Sequence, residues 1–146
     1  MESIPDTHTP VLVIDDDEGL LLSIKATLVS SGLPEPALLS DSRNALELVR
    51  KYSFQLILLD LMMPHLNGME VLKKIKDEFP DPECVIVSAS DDVATAVQAM
   101  GLGASDYLVK PLNSEKLIAL VNRILEKHTL RNELERFGRK KIFSEL

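Results

Sequence analysis

Leu56-Ile57-Leu58-Leu59-Asp60-Leu61-Met62-Met63-Pro64-His65-Leu66-Asn67-Gly68-Met69-Glu70 is the stretch that decides the fold of this chain. An uninterrupted apolar run reaches Asp60, and Pro64, Asn67 and Gly68 follow, the chemistry of a strand that ends and a loop that turns. Asp60 therefore stands at the carboxyl end of a buried strand. Open α/β sheets hold their ligands at that end, so Asp60 is a candidate site residue; the plainer alternative is a cap or a solvated loop residue.

The same pattern recurs on both sides. Val11-Leu12-Val13-Ile14 is short, β-branched and wholly apolar, as a strand buried on both faces would be, and it ends in Asp15-Asp16-Asp17-Glu18. After Gly19, Leu20, Leu21, Ile24 and Leu28 share a helical face closed by Gly32 and Pro34. Ala37-Leu38-Leu39 is a weak strand; Ser40-Asp41-Ser42 offers caps, and Ala45, Leu46 and Val49 give the next helix its inner stripe. Asn67 with Glu70 approaches a capping box, and Leu72, Ile75 and Phe79 face inward until Pro80 stops the third helix. Cys84-Val85-Ile86-Val87 makes a fourth strand that runs into Ser88. Asp91 and Asp92 fall in the first turn of a fourth helix that buries mainly alanine and valine and, thinly anchored, is expected to be the most mobile. Tyr107-Leu108-Val109 is the fifth strand, stopped by Lys110-Pro111. The expected fold class is α/β: a doubly wound, five-stranded parallel sheet flanked by five helices.

Composition narrows the function. The 146 residues, 45% apolar, suit one domain with a proper core, and a net charge of -7 argues against a nucleic-acid surface in this segment. No apolar run approaches bilayer length and the start has no signal-peptide pattern, so a cytoplasmic protein is expected. The lone Cys84 cannot form a disulfide or a cysteine metal site within one chain and reads as a core residue. His8, His65 and His128 show no ligand spacing and read as solvated or packing residues.

In a parallel sheet the residues just past the strand ends gather along one edge, and here these are Asp15, Asp16, Asp60, Ser88 and Lys110. Carboxylates about 5 Å apart repel by roughly 3 kcal/mol per pair at an effective dielectric near 20. Something positive must answer them. So few carboxylates, with room left for water and a phosphate oxygen, suit Mg²⁺ better than a calcium cage, and zinc lacks its His or Cys cluster. A carboxylate can accept a phosphoryl group, and a cation, the Lys110 ammonium and the Ser88 hydroxyl would neutralise and place it. Singly, the acidic run could be a helix-start cluster, Ser88 a cap neighbour, Lys110 a surface lysine and Tyr107 a half-buried strand aromatic.

Together, the acidic pair after the first strand, Asp60 within its Leu-Leu-Asp-Leu-Met-Met-Pro motif, Ser88-Ala89 and Asp106-Tyr107-Leu108-Val109-Lys110-Pro111 resemble the receiver domain of two-component response regulators. The resemblance implies a flavodoxin-like receiver fold. It implies that Asp60 accepts phosphate from a sensor histidine kinase, and that Asp15, Asp16, Asp60 and the backbone carbonyl of Met62 hold Mg²⁺. It further implies that Ser88 and Lys110 contact the phosphoryl group, that the Lys110-Pro111 bond is cis, and that Tyr107 swings inward on activation. Serine stands at position 88 where threonine is commoner in the family, which keeps the hydroxyl. Such a chain would be a phosphorylated signalling domain rather than an enzyme, limited to self-phosphorylation and slow self-dephosphorylation.

The boundaries expected are a flexible lead-in over 1–9, the receiver over 10–127 and a helical linker over 128–146 towards an output domain outside this sequence. From Asn113 or Ser114 to Gly138 the last helix would run about 25 residues, roughly 37 Å. Leu117, Val121, Ile124 and Leu125 would face the sheet, the phase shifts near His128, and Leu130, Leu134 and Phe137 form a second stripe with nothing inside the domain to cover it. Arg139-Lys140-Lys141 reads as a solvated charge run. The second stripe could pair with its twin in a dimeric coiled coil, lead into another domain or be a partly frayed tail, and a homodimer through the fourth helix, fifth strand and last helix is expected. The tail resembles the linker of sigma-54-dependent, nitrogen-regulator-class transcription activators, which implies transcription regulation. Two other classes stay open: a receiver attached to a kinase, phosphatase or cyclic-dinucleotide enzyme, and a free-standing Mg²⁺ phosphohydrolase. The last usually needs a second acid two residues after its nucleophile, where Met62 stands here.

Overall fold

The computed structural model describes the backbone of residues 1–6, 8–64 and 66–145, and the side chains of these up to residue 138. His65 and the side chains of Arg139-Lys140-Lys141, read above as a solvated or packing histidine and a solvated charge run, lie outside the described residues. In chain order the elements are β1 (Glu2–Ser3), β2 (Val11–Ile14), α1 (Glu18–Ser30), β3 (Ala37–Leu39), a 3-10 turn (Ser42–Asn44), α2 (Ala45–Lys51), β4 (Leu56–Leu59), α3 (Gly68–Glu78), β5 (Glu83–Ser88), α4 (Val93–Gly101), β6 (Asp106–Val109) and α5 (Ser114–Glu145). The five parallel strands foreseen are β2 to β6. One more joins them: residues read as a loose lead-in supply β1, antiparallel to β3 with Glu2 opposite Leu39 and Ser3 opposite Leu38.

Strand order is β1-β3-β2-β4-β5-β6, so successive parallel strands depart to opposite sides of β2. That reversal opens a crevice at the carboxyl ends of β2 and β4, where open α/β sheets bind ligands. Side chains alternate across the sheet. Leu12, Ile14, Ile57, Leu59, Cys84 and Ile86 meet α2, α3 and Ala99 of α4, while Val13, Leu38, Leu58, Val85 and Val87 meet α1 and α5. Cys84 is the core residue expected, and its burial pushes the thiol up to about 11.

Capping fixes where the helices begin. Asp17 accepts from Leu20 N–H at 3.1 Å, Asn67 from Met69 N–H at 2.9 Å and Asp92 from Ala94 N–H at 3.3 Å. Asp92 is thus the cap of α4 rather than part of its first turn, a position set by the carboxylate satisfying an orphan amide. Gly32, at φ +79°, ends α1 with Leu33 N–H donating to Leu28 C=O at 3.0 Å, a turn that strains any residue with a Cβ.

Two helices differ from expectation. In α4 only Ala99 is buried, and Val93 and Val97 are 74% and 65% exposed, so the valines face outward rather than into the core. α5 runs through Gly138 to Glu145, 32 residues or roughly 48 Å, because one glycine lowers helix propensity without stopping a helix. Its inner face is Leu117, Leu120, Val121, Ile124 and His128, while Leu130, Leu134 and Phe137 are bare as anticipated.

Candidate functional site

Backbone pairing continues one residue beyond the strands. Asp15 N–H donates to Leu39 C=O at 3.1 Å, Asp60 N–H to Ile14 C=O at 3.0 Å and Lys110 N–H to Ser88 C=O at 2.8 Å. Asp15, Asp60 and Lys110 are therefore held by the sheet itself rather than by mobile loops. Asp15, Asp60 and Ser88 are buried, and Asp16 is exposed at the rim.

The charged groups converge. Lys110 Nζ lies 2.8 Å from Asp15 Oδ2 and 3.5 Å from Asp60 Oδ2. Asp15, Asp16 and Asp60 each offer a carboxylate oxygen, and these oxygens lie within 4.8 Å of one another. The other oxygen of Asp15 accepts from Asp17 N–H at 2.9 Å, and Asp60 Oδ1 accepts from Met62 N–H at 3.3 Å. Burial, followed by the charge of Asp15, holds the Asp60 carboxyl above its ordinary range although Lys110 and Met62 N–H pull it down. Burial pulls Lys110 down, but its hydrogen bond to Asp15 and the charges of Asp15 and Asp60 outweigh this and leave it raised. The ammonium stays charged between two acids.

A relay of hydrogen bonds leads away from this pocket. Ser88 Oγ accepts from Ser90 N–H at 3.1 Å, and Ser90 C=O accepts from the Tyr107 hydroxyl at 2.8 Å. Tyr107 is half-buried, and the Lys110-Pro111 bond is cis. Ser88 shares an open cleft of about 740 Å³ with Asp16, Met62, Asn67 and Thr95. Met62 brings its N–H to Asp60, while its side chain is 68% exposed.

Sequence reasoning missed two supports. Asp17, read only as part of an acidic run, orients Asp15 through its N–H while its side chain caps α1. Gly68 was read as turn chemistry, but a Cβ there would overlap the Asp60 carbonyl oxygen and Leu61 Cα. The start of α3 thus rests directly on the peptide that carries Asp60. The spacing of Asp60 and Gly68 was visible in the sequence; that the loop folds back on itself was not.

Residues 11–122 match the response regulator receiver domain family. The chain belongs to that family. This receiver is 34% identical over 119 residues to response regulator MprA of Mycolicibacterium vanbaalenii, covering 82% of this chain and 51% of MprA. It is 39% identical over 123 residues to the transcriptional regulatory protein ZraR of Klebsiella oxytoca, covering 84% of this chain and 27% of ZraR. The receiver therefore spans about half of one curated relative and about a quarter of the other. Among solved structures, the receiver domain of NtrX from Brucella abortus superposes with a TM-score of 0.73 at 30% identity, over 80% of this chain and 98% of that one. Among the described residues no helix is long and apolar enough to cross a membrane.

Proposed function

We propose that this receiver takes a phosphoryl group from a sensor histidine kinase onto Asp60 and uses the change to switch an output domain in transcription control. The observation that carries the reading is one ammonium, Lys110, set between the buried carboxylates of Asp15 and Asp60 with Asp16 in reach. Three carboxylates against one lysine leave a net negative charge where hard oxygen donors converge, which fits Mg²⁺. Asp15, Asp16, Asp60 and the backbone carbonyl of Met62 would hold it. When bound, Mg²⁺ neutralises charge on the phosphoryl oxygens.

The chain's own residues supply the rest. An Asp60 carboxylate oxygen attacks phosphorus as the P–N bond of the kinase phosphohistidine breaks, its electron pair returning to the imidazole. Lys110 then shifts from Asp15 towards a phosphoryl oxygen. Ser88 Oγ accepts from Ser90 N–H, which leaves its own proton free to donate to the same group. Movement of Ser88 disturbs Ser90 and, through the Ser90 carbonyl, the Tyr107 hydroxyl, drawing Tyr107 with it. To invert two populations the phosphoryl group must favour one state by several kcal/mol. The face that responds is α4, β6 and α5, where Val93, Val97, Met100 and Val109 are exposed, and it would serve a homodimer. A cytoplasmic setting follows from the kinase partner.

Acetyl phosphate with Mg²⁺ should add one phosphoryl mass to the wild-type chain and none to Asp60→Asn, and beryllofluoride should change the sedimentation of wild type alone. Equal behaviour of the two proteins would remove Asp60 from the reaction.

A further inference from the structure

Beyond His128, the last buried residue of its inner face, α5 leaves the body of the domain, and every residue from 129 to 137 is exposed. A stretch of helix without tertiary contacts draws little stability from its own propensity and calls for a cover. This one carries Leu130, Leu134 and Phe137, 58%, 62% and 68% exposed. Steps of four and three residues set them on one line down the helix, the spacing of a coiled-coil seam.

The same line runs back into the body through Lys127 and Arg123, again by steps of three and four. Both cations turn to acids of their own domain: Lys127 Nζ lies 2.8 Å from Glu83 Oε1, and Arg123 lies 3.9 Å from Asp106. The apolar seam therefore opens at Leu130, where the body ends.

The flanking charges say what covers the seam, and in which direction. With Leu130 and Phe137 at d positions and Leu134 at a, Glu126 and Glu133 fall at g and Arg131 at e. A parallel second copy sets each g against the e five residues further on, which brings Glu126 of one chain to Arg131 of the other, opposite charges on both sides of the seam. It also stacks each apolar residue on its own counterpart. An antiparallel copy sets a against d, and one of the three apolar residues then meets a lysine, because seam positions 127 and 141 are both lysine in the sequence.

We propose that α5 pairs with α5 of a second copy of this chain in a short, parallel, in-register coiled coil along Leu130, Leu134 and Phe137, flanked by Glu126–Arg131 pairs between the copies. Three apolar layers hold two chains weakly, so the copies associate as concentration rises. Parallel pairing keeps both bodies at one end and sends both helices onward side by side. The seam does not depend on the phosphoacceptor reading: it starts at the amino edge, away from Asp60, and needs no phosphoryl group.

Sedimentation equilibrium of the whole 146-residue chain, with no phosphodonor present, tests the pairing. The wild-type mass should climb from one chain towards two between low micromolar and near-millimolar concentration. Leu134→Glu, a change at an exposed position, should hold the mass at one chain throughout while amides of β2 stay protected. Glu126→Arg should move the association midpoint severalfold to higher concentration, and adding Arg131→Glu should bring it back. Phe137→Cys, in a chain whose own Cys84 is buried, should give a disulfide-linked pair under oxidation, which an antiparallel coil would not. A wild type that stays one chain at every concentration, a Leu134→Glu chain that associates as well, a charge reversal that the second substitution does not restore, or a Phe137→Cys chain that fails to cross-link would overturn the coil. Phosphorylation is read as mass added at Asp60, so either reading can fail while the other stands.

Discussion

The two edges of the sheet handle charge in opposite ways. At the amino edge each of these cations has its own acceptors: Lys127 meets Glu83, Arg50 lays two hydrogen bonds on Glu78, and Lys76 is held by two carbonyls. At the carboxyl edge three carboxylates share one lysine. Folding alone gains nothing from that crowding, and a chain selected only for stability would not keep it. Concentrated like charge in a crevice at the strand reversal falls where open α/β sheets hold their ligands.

Three experiments would break or sharpen this contrast. The largest effect is expected from Gly68→Ala, whose new Cβ must displace the Asp60–Leu61 peptide; urea unfolding should show a loss of about 3 kcal/mol. Next, without Mg²⁺, Asp60→Asn should raise stability at neutral pH, seen as a higher Tm, because it removes a charge that burial and Asp15 disfavour. A carboxyl whose folded pKa is raised binds its proton more tightly when folded, so the wild type loses stability as pH climbs from the unfolded value through the folded one. The advantage of Asp60→Asn should accordingly close as pH falls into the carboxylate range, and Mg²⁺ should stabilise the wild type in preference to it. The smallest effect is reserved for the amino edge: Arg50→Gln should leave Tm unchanged, since an exposed ion pair on long side chains adds little. A large drop there would show that this edge, too, is energetically critical.

Much of this was legible in the sequence for a simple reason. Val11–Ile14 and Leu56–Leu59 are buried on both faces, so their apolar runs announce themselves without an alternating pattern, and the polar residue after each run must lie at a strand tip. Asp15, Asp60, Ser88 and Lys110 were found that way. Features decided by distant partners were not: Glu2–Ser3 has no strand pattern of its own and is ordered by the open side of β3, and the need for glycine at 68 exists only once α3 docks on the loop it left. The outward valines of α4 mislead because apolar content says nothing about which way a helix is turned. The last helix runs unbroken into the residues expected as a helical linker, because a lone glycine at 138 does not stop it.

Without β1, strand β3 would present the unpaired backbone N–H and C=O groups of Ala37, Leu38 and Leu39 as an open edge. Such margins recruit strands from other molecules into growing sheets. Laying Glu2 and Ser3 along it leaves a rim only two residues long that carries a carboxylate and a hydroxyl. Removing the opening residues would bare the β3 edge, so a shortened variant should turn turbid in concentrated solution where the 146-residue chain stays clear.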